Sequence, residues 1–379
     1  MVWPEAGRSK QGNMLNQRLL KAPLQAVELV QRSLKPCRMM ENGSIVFNST
    51  GSFAAAITER GEIMFRRIFF IVLLFVSAVP VQAQSVTNAQ LLEAYAKFRE
   101  LGPNLNPDVI DTTGRLYAEI HKTSEKGDLT VSKDLAYGAD PKQTMDLYRP
   151  RTATGTRPAV VFIHGGGLTG GDKNNPLSDL MNANVATYFA RHDMVGINAT
   201  YRLVPNIRYP QGGEDMQSIV GWIRANAAEY GIDPEQIFFL CSSAGCTHVA
   251  SLLFDQALMF EGDPDIAGAI MLSGAYDAGN VDYFGSDAAV RETRSAYYLA
   301  EQYQGPDVPV FLLSAELDPH AIETGTARMY QLLCQTQQRC PRFAQARDHN
   351  HISINQHINS GDDRYTGMML EFIRDIVGE

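Results

Sequence analysis

Ser243 stands in the run Cys241-Ser242-Ser243-Ala244-Gly245, between an apolar stretch, Ile237 to Leu240, and a segment from His248 to Leu253 that reads as a helix. A serine hydroxyl is a poor nucleophile at neutral pH and becomes a good one only beside a base that an acid orients. A sharp strand–turn–helix pushes such a hydroxyl outward, and it requires small residues two before and two after the serine. Gly245 meets the second requirement. Cys241 occupies the place of a glycine, a departure its small side chain should tolerate. An ordinary strand-to-helix turn with incidental serines would account for this stretch alone equally well.

A second stretch narrows the choice. Val160 to Ile163 is another buried-strand run, and it ends in His164-Gly165-Gly166-Gly167. Three glycines let a backbone turn its N–H groups toward a ligand without obstruction, which is the requirement for holding an oxyanion. A His-Gly-Gly-Gly loop after a strand, ahead of a serine elbow in one chain, is a specific combination. With Tyr201-Arg202-Leu203 and Asp146-Leu147-Tyr148-Arg149-Pro150, it makes the sequence from about Leu129 onward resemble the α/β-hydrolases. The closest resemblance is to hormone-sensitive-lipase-like and feruloyl-esterase-like carboxylesterases.

That resemblance implies a site, and the residues can be named. Ser243 is the expected nucleophile. The acid follows the seventh strand in this fold, where Ala315-Glu316-Leu317-Asp318-Pro319 offers Asp318 in the family's Glu-x-Asp-Pro pattern, with Glu316 as its rival. The base comes last, just before an apolar residue. That selects His351 ahead of Ile352, with His349 as the alternative. Gly165, Gly166, Gly167 and Ala244 are expected to form the oxyanion hole. Arg202 and Asp215 are expected to pair and support that loop. The implied reaction is hydrolysis of small acyl or aryl esters through an acyl-enzyme, with no cofactor and no metal. An arylformamidase-like amidase of the same fold, and a non-catalytic binding protein on this scaffold, are the competing readings.

The elements needed to position these residues are also legible. Buried-strand runs at 129–135, 144–148, 159–163, 194–199, 236–240, 267–272, 308–314 and 342–347 alternate with helical stretches at 182–191, 213–230, 322–334 and 363–377. Such alternation predicts an α/β fold with a mostly parallel eight-stranded sheet covered by helices on both faces. The first two strands should form an antiparallel hairpin turning at Asp140-Pro141. The stretch from Gly274 to Gly305, rich in Tyr, Asp and Gly, reads as a small cap. Ahead of the sheet, Leu91, Leu92, Tyr95 and Phe98 suggest one helix capped by Asn88, and Leu116, Tyr117 and Ile120 a second.

The beginning of the chain is divided differently. Residues 1–63 lack sustained periodicity and are expected to be an upstream extension outside the true reading frame start. Met64 to Ala83 has a basic opening, a short apolar core and an Ala-x-Ala-like close at Val81-Gln82-Ala83, the pattern of a secretory signal peptide. The mature chain would then comprise an N-terminal helical segment, 84–125, and a catalytic domain, 126–379, in a periplasmic or secreted location with no stable membrane anchor. Residues 84–379 hold 23 lysines and arginines against 37 aspartates and glutamates, a net charge of −14. That balance argues against nucleic acid as a partner. Export permits disulfides, and Cys334–Cys340 is the favoured pair. For Cys241 and Cys246, two small buried residues are the preferred account. His164 should order the oxyanion loop, His248 should pack beneath the elbow, and His121, His192 and His357 should lie at the surface.

Overall fold

The computed structural model describes residues 89–152, 154–259 and 266–378. The expectations for 1–63, for 64–83 and for the Asn88 cap lie outside them.

Two helices, α1 (Ala89–Leu101) and α2 (Pro107–Ile120), precede the sheet. In α1 the buried face is Leu91, Ala94, Tyr95 and Phe98, an i, i+3, i+4, i+7 stripe. Leu92 was expected on that face, but it is 52% exposed, because one residue's step rotates it about 100° away. Asn106 caps α2, its side chain accepting the Val109 N–H, and Pro107 takes the first helical position, where a missing N–H costs nothing.

Eight strands follow: β1 (Leu129–Ala136), β2 (Thr144–Pro150), β3 (Arg157–Ile163), β4 (Val195–Ala199), β5 (Ile232–Ser242), β6 (Gly268–Leu272), β7 (Val310–Leu317) and β8 (Arg342–Asn350). They lie in the order β1-β2-β4-β3-β5-β6-β7-β8. β1 and β2 form the expected antiparallel hairpin, with the Asp140 carboxylate accepting the Lys142 N–H in the turn. β2 also runs antiparallel to β4, and β3 to β8 pair in parallel.

The helices that cover the sheet are α3 (Ala183–Arg191), α4 (Gln211–Tyr230), α5 (Gly245–Phe254), α9 (His320–Thr336) and α11 (Thr366–Val377). Three short helices, α6 (Val281–Phe284), α7 (Ala288–Glu292) and α8 (Ala296–Gln302), make up the cap stretch, and α10 (Ser353–Gln356) follows β8. Because strand side chains alternate between faces, one strand feeds two cores. Ile237, Phe239 and Cys241 of β5 pack with Met216 and Ile223 of α4 and Val249 of α5. Phe238 and Leu240 pack on the other face with Val185 and Phe189 of α3 and Met369, Phe372 and Ile373 of α11. A strand buried on both faces must read as a continuous apolar run, which is why these strands were legible.

Both cysteine pairs are disulfides. Cys334–Cys340 was the expected pair. Cys241–Cys246 corrects the preferred account of two free buried residues. The elbow folds the first turn of α5 back against the end of β5, and this brings two residues five apart into bonding range.

Candidate active site

Ser243 occupies the turn between β5 and α5 with φ of 52°, in the left-handed region that a non-glycine residue adopts at a cost. Its backbone is held on both sides: Ser243 N–H donates to Leu272 O at 3.0 Å, and Ser243 O accepts from Ala275 N–H at 3.0 Å. The elbow also demands close approach. A Cβ on Gly245 would lie 2.5 Å from His164 O and 2.6 Å from Ile163 O, so α5 starts against the backbone end of β3 and only glycine fits there.

The tertiary fold brings three sequence-predicted residues together. His351 Nε2 lies 2.9 Å from Ser243 Oγ, and His351 Nδ1 lies 2.8 Å from Asp318 Oδ1. With Nδ1–H donated to the carboxylate, Nε2 is left as the acceptor facing the serine hydroxyl. Asp318 is itself fixed. Its Oδ2 accepts the Ser273 hydroxyl at 2.6 Å and the Ala315 N–H at 2.8 Å. Asp318 and His351 are 2% and 3% exposed, while Ser243 is only partly buried, so the serine is the member that meets solvent. The rivals lie elsewhere. Glu316 is exposed and accepts the Asp348 N–H, and His349 points away to Asp362 and Ser353.

The His164–Gly167 loop lies directly beside the serine. A Cβ on Gly165 would come 3.0 Å from Ser243 Cβ. Gly166 has φ of 129°, with Gly170 O only 2.1 Å from where its Cβ would stand, and Gly167 has φ of 64°. Among the described residues, neither Gly167 nor Ala244 donates its N–H to a backbone carbonyl, which leaves both groups available to a ligand. His164 orders the loop from beneath. Its Nδ1–H donates to Gly165 O at 2.7 Å and its Nε2 accepts from the Thr200 hydroxyl at 3.1 Å. Tyr201 donates its hydroxyl to His164 O and stacks on the His164 ring at 4.5 Å. The expected Arg202–Asp215 pair is present at 2.6 Å, and Asp215 also accepts from Gln143. A cavity of about 230 Å³ opens from Gly167 and Ala244 toward Tyr276, Phe284 and Ile322.

Two side-chain roles had escaped the sequence. Ser273 carries no signal beyond its place after β6; it matters because Asp318 follows β7, the strand beside it. Asn350 is the other: its Oδ1 accepts the N–H groups of Ile352 and Ser353, the two residues that follow His351 in the turn.

Histidine exposure needs one correction. His248 packs beneath the elbow as expected, and His192 is half-buried, but His121 and His357 are buried rather than at the surface. His121 closes α2, with one ring nitrogen on Gln356 O; His357 packs at a tilt against His349, ring centroids 4.5 Å apart. Polar residues in a loop read as exposed until other elements cover them. Burial lowers the pKa of His121 and His164 to about 4, and of His248 and His357 to about 3. In the unfolded chain these rings titrate near 6.5. Below that pH the unfolded state therefore binds protons that the folded state refuses, and stability falls as pH drops from about 6.5 toward 4 and 3. Each ring contributes a slope of up to about 1.4 kcal/mol per pH unit in that window. Urea midpoints at pH 7.5, 6 and 5 should fall steadily; a midpoint unchanged across that series would exclude the linkage.

The sheet order, with a serine on the β5–α5 turn, an acid after β7 and a histidine after β8, decides the assignment. The chain has the α/β-hydrolase fold. The family model described as BD-FAE matches residues 145–263, from β2 past the serine elbow. A probable isoprenylcysteine alpha-carbonyl methylesterase of Arabidopsis thaliana is 28% identical over 170 residues, 42% of this chain and 34% of that protein. The phenmedipham hydrolase of Pseudarthrobacter oxydans is 38% identical over 117 residues, 29% of this chain and 22% of that protein. The chain thus spans about a third or less of the length of these curated relatives. Among solved structures, an inhibited esterase B from Lactobacillus rhamnosis superposes with a TM-score of 0.55 at 17% identity, covering 76% of this chain and 96% of that one, which shows the shared fold.

Proposed function

We propose that this α/β-hydrolase is a serine carboxylesterase acting on small acyl or aryl esters. The observation that carries the reading is one imidazole bonded at both nitrogens, to Ser243 and to Asp318, beside a glycine loop whose N–H groups are free to receive charge. In the proposed reaction His351 Nε2 takes the Ser243 proton as Oγ attacks the ester carbonyl. Asp318 holds the ring and stabilises the imidazolium. The N–H groups of Gly166, Gly167 and Ala244 receive the oxyanion; each such donor is worth on the order of 3 kcal/mol in the transition state. His351 then returns the proton to the departing alcohol, and water releases the acyl group by the same path in reverse.

The cavity of about 230 Å³, narrowed by Phe284 and Tyr276, favours short acyl groups. A p-nitrophenyl ester series from acetate to decanoate should show kcat/KM greatest at the short end, falling at least tenfold by the longest chain. A rise toward decanoate would remove the short-acyl assignment, and inertness to every ester would remove the esterase reading and send the test to N-formyl anilides. Export belongs to the same reading. It rests on the Met64–Ala83 pattern, and N-terminal sequencing of the natural protein should find Gln84 first. An intact Met1 would contradict it.

A further inference from the structure

The turn that carries His351 is gripped by helices that precede the sheet. The Asn350 side chain reaches both ways: its Oδ1 accepts Ile352 N–H at 3.0 Å and Ser353 N–H at 2.9 Å, and its Nδ2 donates to Thr113 Oγ1 of α2 at 2.9 Å. Ser353 Oγ accepts Asn350 N–H at 2.8 Å, closing the turn on itself, and contacts His349 Nδ1 at 3.1 Å. His349 Nε2 meets Asp362 Oδ2 at 3.2 Å, and Tyr95 of α1 donates its hydroxyl to the same oxygen. Thr113, His349, Asn350 and Ser353 are all fully buried, so these bonds have no water to replace them.

Resting on the esterase reading, we propose that Thr113 is a positioning residue for His351, acting through Asn350. The argument is one of amide orientation. Two backbone N–H groups require the oxygen of Asn350 to face the turn, and this sends its NH₂ toward α2. Thr113 supplies the acceptor that makes this orientation complete. Without that acceptor the buried NH₂ is orphaned, and the amide gains a reason to turn toward another oxygen. Turning releases the Ile352 and Ser353 N–H groups, the first of which belongs to the residue next to His351. The imidazole bonds at both ends, at 2.8 and 2.9 Å, so a backbone displacement beyond about 0.5 Å stretches or misaligns at least one of the two bonds. α2 lies outside the stretch matched by the family model, and none of its residues lines the cavity. The effect therefore falls on the base and not on substrate binding.

The test is Thr113→Val, which keeps the shape and removes the oxygen, against Thr113→Ser, which keeps the oxygen. With folding checked by thermal melting, Thr113→Val should lower kcat for a p-nitrophenyl ester about tenfold with KM within about twofold, since small misplacements of catalytic groups weigh on the chemical step. Phosphonylation of Ser243 by a fluorophosphonate should slow in parallel, and Thr113→Ser should restore both. A folded Thr113→Val protein with wild-type kcat would overturn the proposal. If the wild type hydrolyses no ester, the esterase reading fails separately, and the downfield proton resonance of the His351–Asp318 bond decides the positioning alone. A shift or broadening in Thr113→Val supports it, and an unchanged resonance refutes it.

Discussion

Ser243→Ala is expected to lower kcat on the best p-nitrophenyl ester by a factor on the order of 10⁴ to 10⁶ while leaving the melting temperature within a few degrees of the parent. The two halves of that expectation have separate causes. Loss of Oγ removes the atom proposed to attack, and the neighbouring serines are not placed to replace it: Ser242 is buried at the end of β5, and Ser273 is committed to Asp318. Stability is spared because the elbow is held by backbone bonds, by the Cys241–Cys246 disulfide and by the close seat of Gly245, and the serine side chain makes none of these. Alanine inherits the same positive φ that serine bears, so the backbone cost is unchanged. Residual turnover within about a factor of ten of the parent would show that Ser243 is not the nucleophile.

Gly245→Ala should be nearly as damaging, by a different route. The added methyl meets His164 O at 2.5 Å, Ile163 O at 2.6 Å and Ile163 Cγ2 at 3.0 Å. None of these yields easily. Ile163 is paired with Ala199 on one side and Cys241 on the other, and His164 O accepts the Tyr201 hydroxyl. The start of α5 must withdraw from β3, which separates Ser243 and Ala244 from the Gly165–Gly167 loop. Overpacking of this kind costs about 1–3 kcal/mol of stability. A displacement near 1 Å between nucleophile and oxyanion donors costs about 100-fold in rate. The variant should therefore melt lower and also turn over at least 100-fold more slowly when assayed well below its melting point. A folded variant with undiminished kcat would mean that the elbow and the glycine loop do not work as a unit.

These two expectations also mark what was legible in the sequence. The five central strands could be found because β3 to β7 are covered on both faces, which forces unbroken apolar runs, and because helices between them carry apolar stripes of the right period. The serine elbow and the glycine loop could be found because steric requirements there dictate residue types that stand out in a short run: the 129° φ at Gly166 excludes most side chains locally, and the 2.5 Å approach of the Gly245 position to His164 O admits only glycine. The choice of Asp318 over Glu316 and of His351 over His349 came from resemblance. Both candidates of each pair lie within two residues of each other, where local sequence distinguishes them poorly. In the structure the chain direction at the ends of β7 and β8 separates them: Asp318 and His351 turn inward to meet, Glu316 stays in solvent, and His349 enters a buried group with Asp362 and Ser353.

The sequence by itself thus determined the central strands and their coverings, the serine elbow and the glycine loop, because each leaves its mark in a short run of residue types. Only the tertiary structure decided the rest. It joined Cys241 to Cys246, placed Ser273 under Asp318, buried His121 and His357, and brought Thr113 to Asn350 across 237 positions of chain. Hydrogen bonds between distant side chains leave no periodicity and no local steric signature, so they become visible only when the strands and helices that carry them have been set side by side.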